Sequence, residues 1–216
     1  MTTDAIIEAA ERLFGQQGVD GVSLREIGRA AGSSNHYAVQ YHFGSKDALV
    51  RAIVARRLPN MERKRGELLS QASRDGLLND VRALLDVLLR PVVDETDAHG
   101  DCSYAAFLIN IYWRTSIPRT WLDEAPLTNH VIQLIMSAVP DVPGPYVGER
   151  LRLAVVMFLH MLVHLDRAKN DGVTPAQRIA KIDDAIAMAA GAISSPLPSS
   201  VSDLLAQPAA PKTILP

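Results

Sequence analysis

Two groups of side chains in this chain have types and spacings that could do chemistry. The first is His160 and His164, four apart in His-Met-Leu-Val-His. On a helix both rings share a face, as in zinc-binding helices, and His99 and Cys102 could complete a ligand set. The glutamate of a hydrolytic His-Glu-x-x-His motif is missing, so buried, hydrogen-bonded histidines are the simpler reading. The second group is polar: Ser33, Ser34, Asn35, His36 and Gln40, then Tyr41, His42 and Lys46. Asn and Gln pair bidentately with adenine edges, and Ser and His reach bases or phosphates. A lysine in the first turn of a helix adds its charge to a terminus that already favours phosphate. Taken singly, each of these residues is equally a solvated polar side chain, so the elements that would position them must decide.

The periodicity is helical nearly throughout, with no alternating strand pattern and no internal repeat. Apolar residues at Ile6, Ile7, Ala9, Ala10, Leu13 and Phe14 make one face of a first helix, which Gly15 and Gly18 are expected to end. Ser23 with Glu26 three residues on is a capping box for a second helix, stopping at Gly32. A third is expected from about Asn35 to Tyr41. Ser45 caps a fourth, which Pro59 should kink or break near Leu58. Further helices are expected over 75–95, 103–115, 127–138 and 146–169. A last one follows the Thr174-Pro175 cap and runs to about Ser194.

The segment 23–50 is thus two short helices joined by a glycine turn, between longer ones: a helix-turn-helix. The close crossing needs small residues, which Gly28 and Ala31 supply, and Gly32 can take the left-handed conformation. Ala38, Val39 and Phe43 form an inner face, leaving the polar face to lie in a major groove.

Composition agrees without deciding. The 216 residues carry 22 Lys and Arg against 24 Asp and Glu, a net charge of −2, and 48% hydrophobic residues, enough for a sizeable core. Residues 1–70 hold 10 basic and 8 acidic residues, and residues 71–216 hold 12 and 16, a mildly basic head on an acidic body. One cysteine excludes an intramolecular disulfide. The longest strongly apolar stretch, 153–165, is too short to span a bilayer, and the acidic N-terminus is no signal peptide, so a soluble, cytoplasmic protein is expected. No Gly-rich phosphate loop or nucleophile elbow is present, and no cofactor is implied. Asp183-Asp184 and Asp123-Glu124 read as solvated charge, and Cys102 as an inert thiol.

The run from residue 5 to about residue 53 resembles the DNA-binding domain of the tetracycline-repressor (TetR) family of bacterial transcription regulators. AAERLFGQQGVDGVSLREIGRAAG and YHFGSKDAL carry the likeness, the Tyr-His-Phe triplet most specifically. The resemblance implies an all-α homodimer with an N-terminal three-helix DNA-binding domain and a larger helical domain that binds a small effector and dimerises. It further implies a repressor, released by effector from a pseudo-palindromic double-stranded operator. Ser23, Arg25, Tyr41, His42 and Lys46 map onto phosphate or groove contacts, and Asn35, His36 and Gln40 onto the outward recognition face. Two departures stand out: eight residues separate Gly32 from Tyr41 where the common pattern has seven, and Gly28 replaces the usual alanine.

The expected division is 1–50 for DNA, 51–194 for effector and dimer, and 195–216 as a mobile Pro/Ser-rich tail. The helix at 146–169 is apolar nearly all round, as for a helix packed on core and partner at once. In the resembled family the last two long helices form a four-helix bundle across the dimer. An effector pocket needs apolar walls with a few polar groups. Candidates are Tyr104, Phe107, Asn110, Tyr112, Trp113 and Trp121, with Met157, His160, Met161 and His164 on the long helix. Their character favours an apolar or aromatic effector, against the alternative that they are ordinary core. The competing functions are a small-molecule-binding helical protein that reads no DNA, and a metal-dependent helical enzyme using His160 and His164.

Overall fold

A computed structural model describes residues 2–32, 37–114, 124–168 and 172–201, and every regular element among them is helical. In chain order these are α1 (Thr3–Gly21), α2 (Leu24–Ala30), α3 (Ala38–Phe43), α4 (Lys46–Arg74), α5 (Val81–Val93), α6 (Ser103–Arg114), α7 (Pro126–Ser137), α8 (Gly144–Arg167) and α9 (Pro175–Ser194). None of the helices among the described residues is long and apolar enough to cross a membrane. The expected all-α architecture is what is found: a three-helix head, α1 to α3, continued by α4 into a larger helical body.

The head and body share one apolar cluster, from Ile6, Phe14 and Ile27 through Leu85 and Phe107 to Phe158 and Ile186. Burial of these side chains is the main driving force for the fold. The closest joint is between α1 and α6. Gly15 does not end α1, as expected, but lies within it. A Cβ there would meet the Ala106 Cβ and the Phe107 backbone nitrogen, each at 3.1 Å. Gly15 therefore permits close helix approach, and Phe14 stacks on Phe107 beside it, ring centroids 6.5 Å apart. The helix breaks instead at Gly18, whose φ of 74° and ψ of 159° lie outside the helical region.

Pro59 also departs from expectation, for α4 continues through it to Arg74. Proline removes one i to i−4 hydrogen bond, but polar contacts fix the helix on both sides of Pro59. Arg57 forks onto Glu11 of α1 at 2.9 and 2.8 Å and reaches Glu95 at 3.2 Å and the Thr96 carbonyl at 3.1 Å. Asn60 donates to the other Glu95 oxygen at 2.6 Å. Glu11 also accepts from the Ser103 hydroxyl at 2.5 Å. The Arg57 guanidinium lies 5.8 Å from the Tyr104 ring centroid. Both carboxylates are buried, yet each is multiply bonded, as a buried charge requires.

Other boundaries move by local chemistry. Asp80 caps α5 through the Ala83 N–H, so residues 75–80 are a turn rather than helix. Thr174 is the N-cap of α9, as expected, and Gln177 completes a capping box with it. Asp183 is not simply solvated: Arg90 of α5 bonds it at 2.6 Å and also holds Asp86. Asp123 and residues 202–216 of the expected tail lie outside the described residues, but the start of the tail is held. Arg150 donates to the Ile193 and Ser195 carbonyls, and Leu197 packs on the core.

Replacing Arg57 by Met leaves Glu11 and Glu95 buried without their cation. The expected loss is about 3–5 kcal/mol, a drop of roughly 10 °C in melting temperature, measured by calorimetry at neutral pH. Gly15→Val forces α1 off α6 and should cost about 1–3 kcal/mol in denaturant unfolding.

Candidate nucleic-acid interface and ligand cavity

The helix-turn-helix is assembled by small residues and caps. Ser23 accepts from the Glu26 N–H at 3.2 Å, and the Glu26 carboxylate accepts from the Ser23 N–H at 2.8 Å and its hydroxyl at 2.7 Å. These bonds to Ser23, backbone first, hold the Glu26 carboxyl below its usual range. Gly28 is buried, and a Cβ there would stand 3.3 Å from a Val39 methyl, so α2 and α3 touch where a small residue was expected. Gly32 has φ of 78°, the left-handed turn conformation. α3 begins at Ala38 and runs through Phe43, later than the expected end at Tyr41, so Gln40, Tyr41 and His42 all stand on it.

Tyr41 is 87% exposed, with its ring edge-on to His42 at 5.4 Å. Arg25, His42 and Gln40 are exposed as well. Two expected contacts are partly committed elsewhere. Gln40 donates to the Gly44 carbonyl at 2.7 Å, closing the end of its own helix. Lys46 donates to the carbonyls of Val19 and Asp20, at 3.0 and 3.2 Å, so it closes the end of α1. Ser23 likewise spends its hydroxyl on the capping box. Ser33, Ser34, Asn35 and His36 lie outside the described residues, so among these the outward face of α3 is defined by Gln40 and Tyr41, with Tyr37, 77% exposed, at its start. Tyr37 was not singled out in the sequence, although its place ahead of a polar helix was a signal.

In the body, a cavity of about 370 Å³ opens between α4, α5, α6, α7 and α8. Of the pocket candidates, Tyr104 and Tyr112 line it, and burial pushes the Tyr112 phenol up to about 12 and Tyr104 still higher. The other candidates do not line it. Phe107 is buried between Phe14 and Tyr104, and Asn110 donates to the Gly15 and Ala106 carbonyls, both 3.1 Å, at the α1 joint. Met157 and Met161 are half-buried and His160 and His164 exposed on α8, turned away because the opposite face of that helix, Leu151, Val155 and Leu159, forms the wall. The reading of these histidines as buried is thus corrected. The Trp113 side chain and Trp121 lie outside the described residues. No group of three His, Cys, Asp or Glu able to hold a metal occurs among the described residues.

Sequence reasoning missed Arg65, which lines the cavity with its side chain 3% exposed. The signal was present: Val54, Leu58, Met61 and Arg65 follow an i, i+4, i+7, i+11 stripe, so an arginine sits in an apolar row. It also missed Glu62, which accepts from Arg65 at 2.6 Å and from the Leu127 and Thr128 N–H groups at 2.7 and 3.2 Å. Glu62 thereby caps α7, whose own Ala125 offers no side-chain cap. A larger, open cleft of about 770 Å³ lies between α1, α2, α4 and the α5–α6 connection. Its walls carry Glu8 and Glu11 already paired with Arg56 and Arg57, whereas the smaller cavity has the apolar walls and few polar groups of a ligand site. Cys102 is buried beneath Arg178, and burial and Asp166 push its thiol up to about 11, as suits an inert thiol.

Residues 6–53, a span holding α1, α2, α3 and the start of α4, match the family model described as bacterial regulatory proteins, tetR family. Among solved structures, the crystal structure of the TetR family transcriptional regulator PfmR from Thermus thermophilus is similar at 17% identity, covering 92% of this chain and 98% of that chain with a TM-score of 0.49. No curated relative matches the chain. The match is confined to the helix-turn-helix: residues 6–53 are similar to the DNA-binding domain of the tetR family of bacterial regulatory proteins.

Proposed function

We propose that this regulator is a homodimeric repressor that reads a pseudo-palindromic operator and leaves it when a small apolar or aromatic effector occupies the α4–α8 cavity. Residues 1–50 serve as the DNA-binding head and 51–194 as the effector-binding and dimerising body. The observation that carries the reading is the packed helix-turn-helix, with Val39 seated on Gly28 and the polar side of α3 left outward under Tyr41. Tyr41, His42 and Arg25 are its accessible groups for phosphate and groove, and Gln40 reads bases once it releases the Gly44 carbonyl. Ser23 and Lys46 act chiefly by holding the head in shape, though the lysine has a third hydrogen to offer a phosphate. Asn35 and His36, with Ser33 and Ser34, belong to the same proposed reading face.

Dimerisation is proposed through α8 and α9. Leu153 is 51% exposed on α8, and Ile179 and Met188 are 56% and 58% exposed on α9, large apolar residues on the outward sides of two helices packed together. Ala180, Ala187, Gly191 and Ala192 share the exposed side of α9, where small residues let a partner helix come close. A dimer places two heads at successive major-groove faces, which is why the operator is expected to be an inverted repeat.

Selection of duplexes from a random pool by the purified protein should enrich an inverted repeat. Recovery of no motif at low salt, from folded dimeric protein stripped of ligand, leaves instead a small-molecule-binding protein that reads no DNA. Tyr41→Ala should weaken all duplexes alike and make the affinity less steep in salt by about one unit of log–log slope, whereas Gln40→Ala should change the preferred sequence. Ile179→Glu combined with Met188→Glu should yield monomer in analytical ultracentrifugation; an unchanged dimer places the interface elsewhere.

A further inference from the structure

Resting on the reading of the α4–α8 cavity as the effector site, we propose that the effector is an uncharged, largely apolar molecule with one oxygen acceptor, and that the Tyr104 hydroxyl donates to that oxygen. The cavity walls are mostly apolar, with Leu58, Met61, Leu108, Ile111 and Leu151 among them. The volume of about 370 Å³ equals roughly a dozen water molecules at about 30 Å³ each, which suits a ligand with a similar number of non-hydrogen atoms.

Tyr104 is the unusual feature of that wall. It is 1% exposed, yet its hydroxyl has no hydrogen-bond partner among the described residues, and neither has that of Tyr112, which also lines the cavity. Among the same residues, Arg65 Nε is the one side-chain nitrogen or oxygen that is both unpartnered and sealed inside protein. The Tyr104 hydroxyl, unpartnered too, is therefore not sealed, and the cavity is the space that it borders. A buried polar group without a partner is costly, and nearly all such groups in native proteins are satisfied. Phenylalanine would offer the same ring to Phe107 and Arg57 without that cost, so packing alone does not account for the hydroxyl. A ligand oxygen does.

The surroundings select the kind of oxygen. Burial pushes both phenols up, so at neutral pH each keeps its proton and can donate it. Glu11 and Glu95 each act on the Tyr104 hydroxyl more strongly than Arg57 opposes them, which disfavours negative charge beside it. The cations on the cavity wall, Arg65 and Arg152, are already paired with Glu62 and Glu149. A carboxylate would thus shed its water with no unpaired cation to meet it. An ammonium would find no carboxylate among the described lining residues. An uncharged oxygen takes the phenol proton and adds no charge.

The test is titration calorimetry on the intact protein with four matched probes: acetylnaphthalene, isopropenylnaphthalene, naphthoate and naphthylmethylammonium. The second has the shape of the first, with a CH2 group in place of the carbonyl oxygen. In Tyr104→Phe, acetylnaphthalene should bind roughly fivefold more weakly or worse, the worth of a neutral hydrogen bond, while isopropenylnaphthalene binds as before. The melting temperature should not fall, because the hydroxyl holds nothing in the protein; a purely structural hydroxyl would show the reverse. An unchanged acetylnaphthalene affinity, an equal loss for both neutral probes, or a selective loss in Tyr112→Phe but not in Tyr104→Phe overturns the assignment to Tyr104. Tighter binding of naphthoate or the ammonium probe than of acetylnaphthalene overturns the uncharged class. Leu151→Trp, or Val155→Trp should the first not fold, fills the cavity and tests the site itself. If no probe binds the folded wild-type protein, or if the tryptophan variant binds them all unchanged, the cavity is not the effector site and the proposal falls with it.

Discussion

The structure depends on holding the Arg57 guanidinium between two buried carboxylates. Glu11 belongs to the helix-turn-helix head, Glu95 to the connection after α5, and Arg57 to the helix that enters both. An uncompensated charge at this depth would be far costlier than any single apolar contact around it. The three groups must therefore come together whenever the chain folds, and the arrangement fixes how the head sits on the body. The apolar seam of Phe14 and Phe107 supplies area and attraction, but such contacts tolerate sliding. The forked hydrogen bonds do not, because their geometry is directional.

From that joint the same helix leads to the cavity. Two turns beyond Arg57 lies Arg65, with Glu62 between them capping α7. Tyr104 connects the two regions from the other side: its ring lies near Arg57, and its side chain forms part of the cavity wall. A molecule seated against Tyr104 and Arg65 thus meets the side chains nearest to the head's anchor. Coupling of this kind needs two arrangements with different affinities for the ligand, and the network supplies a contiguous set of polar groups through which they could differ.

The head was largely legible in the sequence because its signals are local. A capping box is four consecutive residues, a left-handed turn wants glycine, and the small residue at Gly28 has its counterpart at Val39 only eleven positions on. The roles of Lys46 and Gln40 were less legible. Both have the right type for DNA, yet each finds a backbone carbonyl nearby, and no local pattern says which partner wins. In the body the helices were legible and the contacts were not. Gly15 looks like a helix stop until α6 arrives against it, and Pro59 looks like a break until Arg57 and Asn60 fix the helix on either side. His160 and His164 have metal spacing but face outward, because the rotation of α8 is set by Leu151, Phe158 and Leu162 together rather than by any pair. Arg65 and Glu62 are read as surface charge by type alone. Only their place in an apolar row hinted otherwise.

The continuity of α4 through Pro59 also limits how such a protein can change over time. A loop absorbs an added residue by bulging, but a helix transmits it. One residue inserted between Arg57 and Arg65 would turn everything beyond it by about 100° and advance it by about 1.5 Å. The fork to Glu11 would then survive only with the cavity wall facing elsewhere, or the wall with the fork broken. Substitutions along this stretch remain possible one side chain at a time, while its length is fixed.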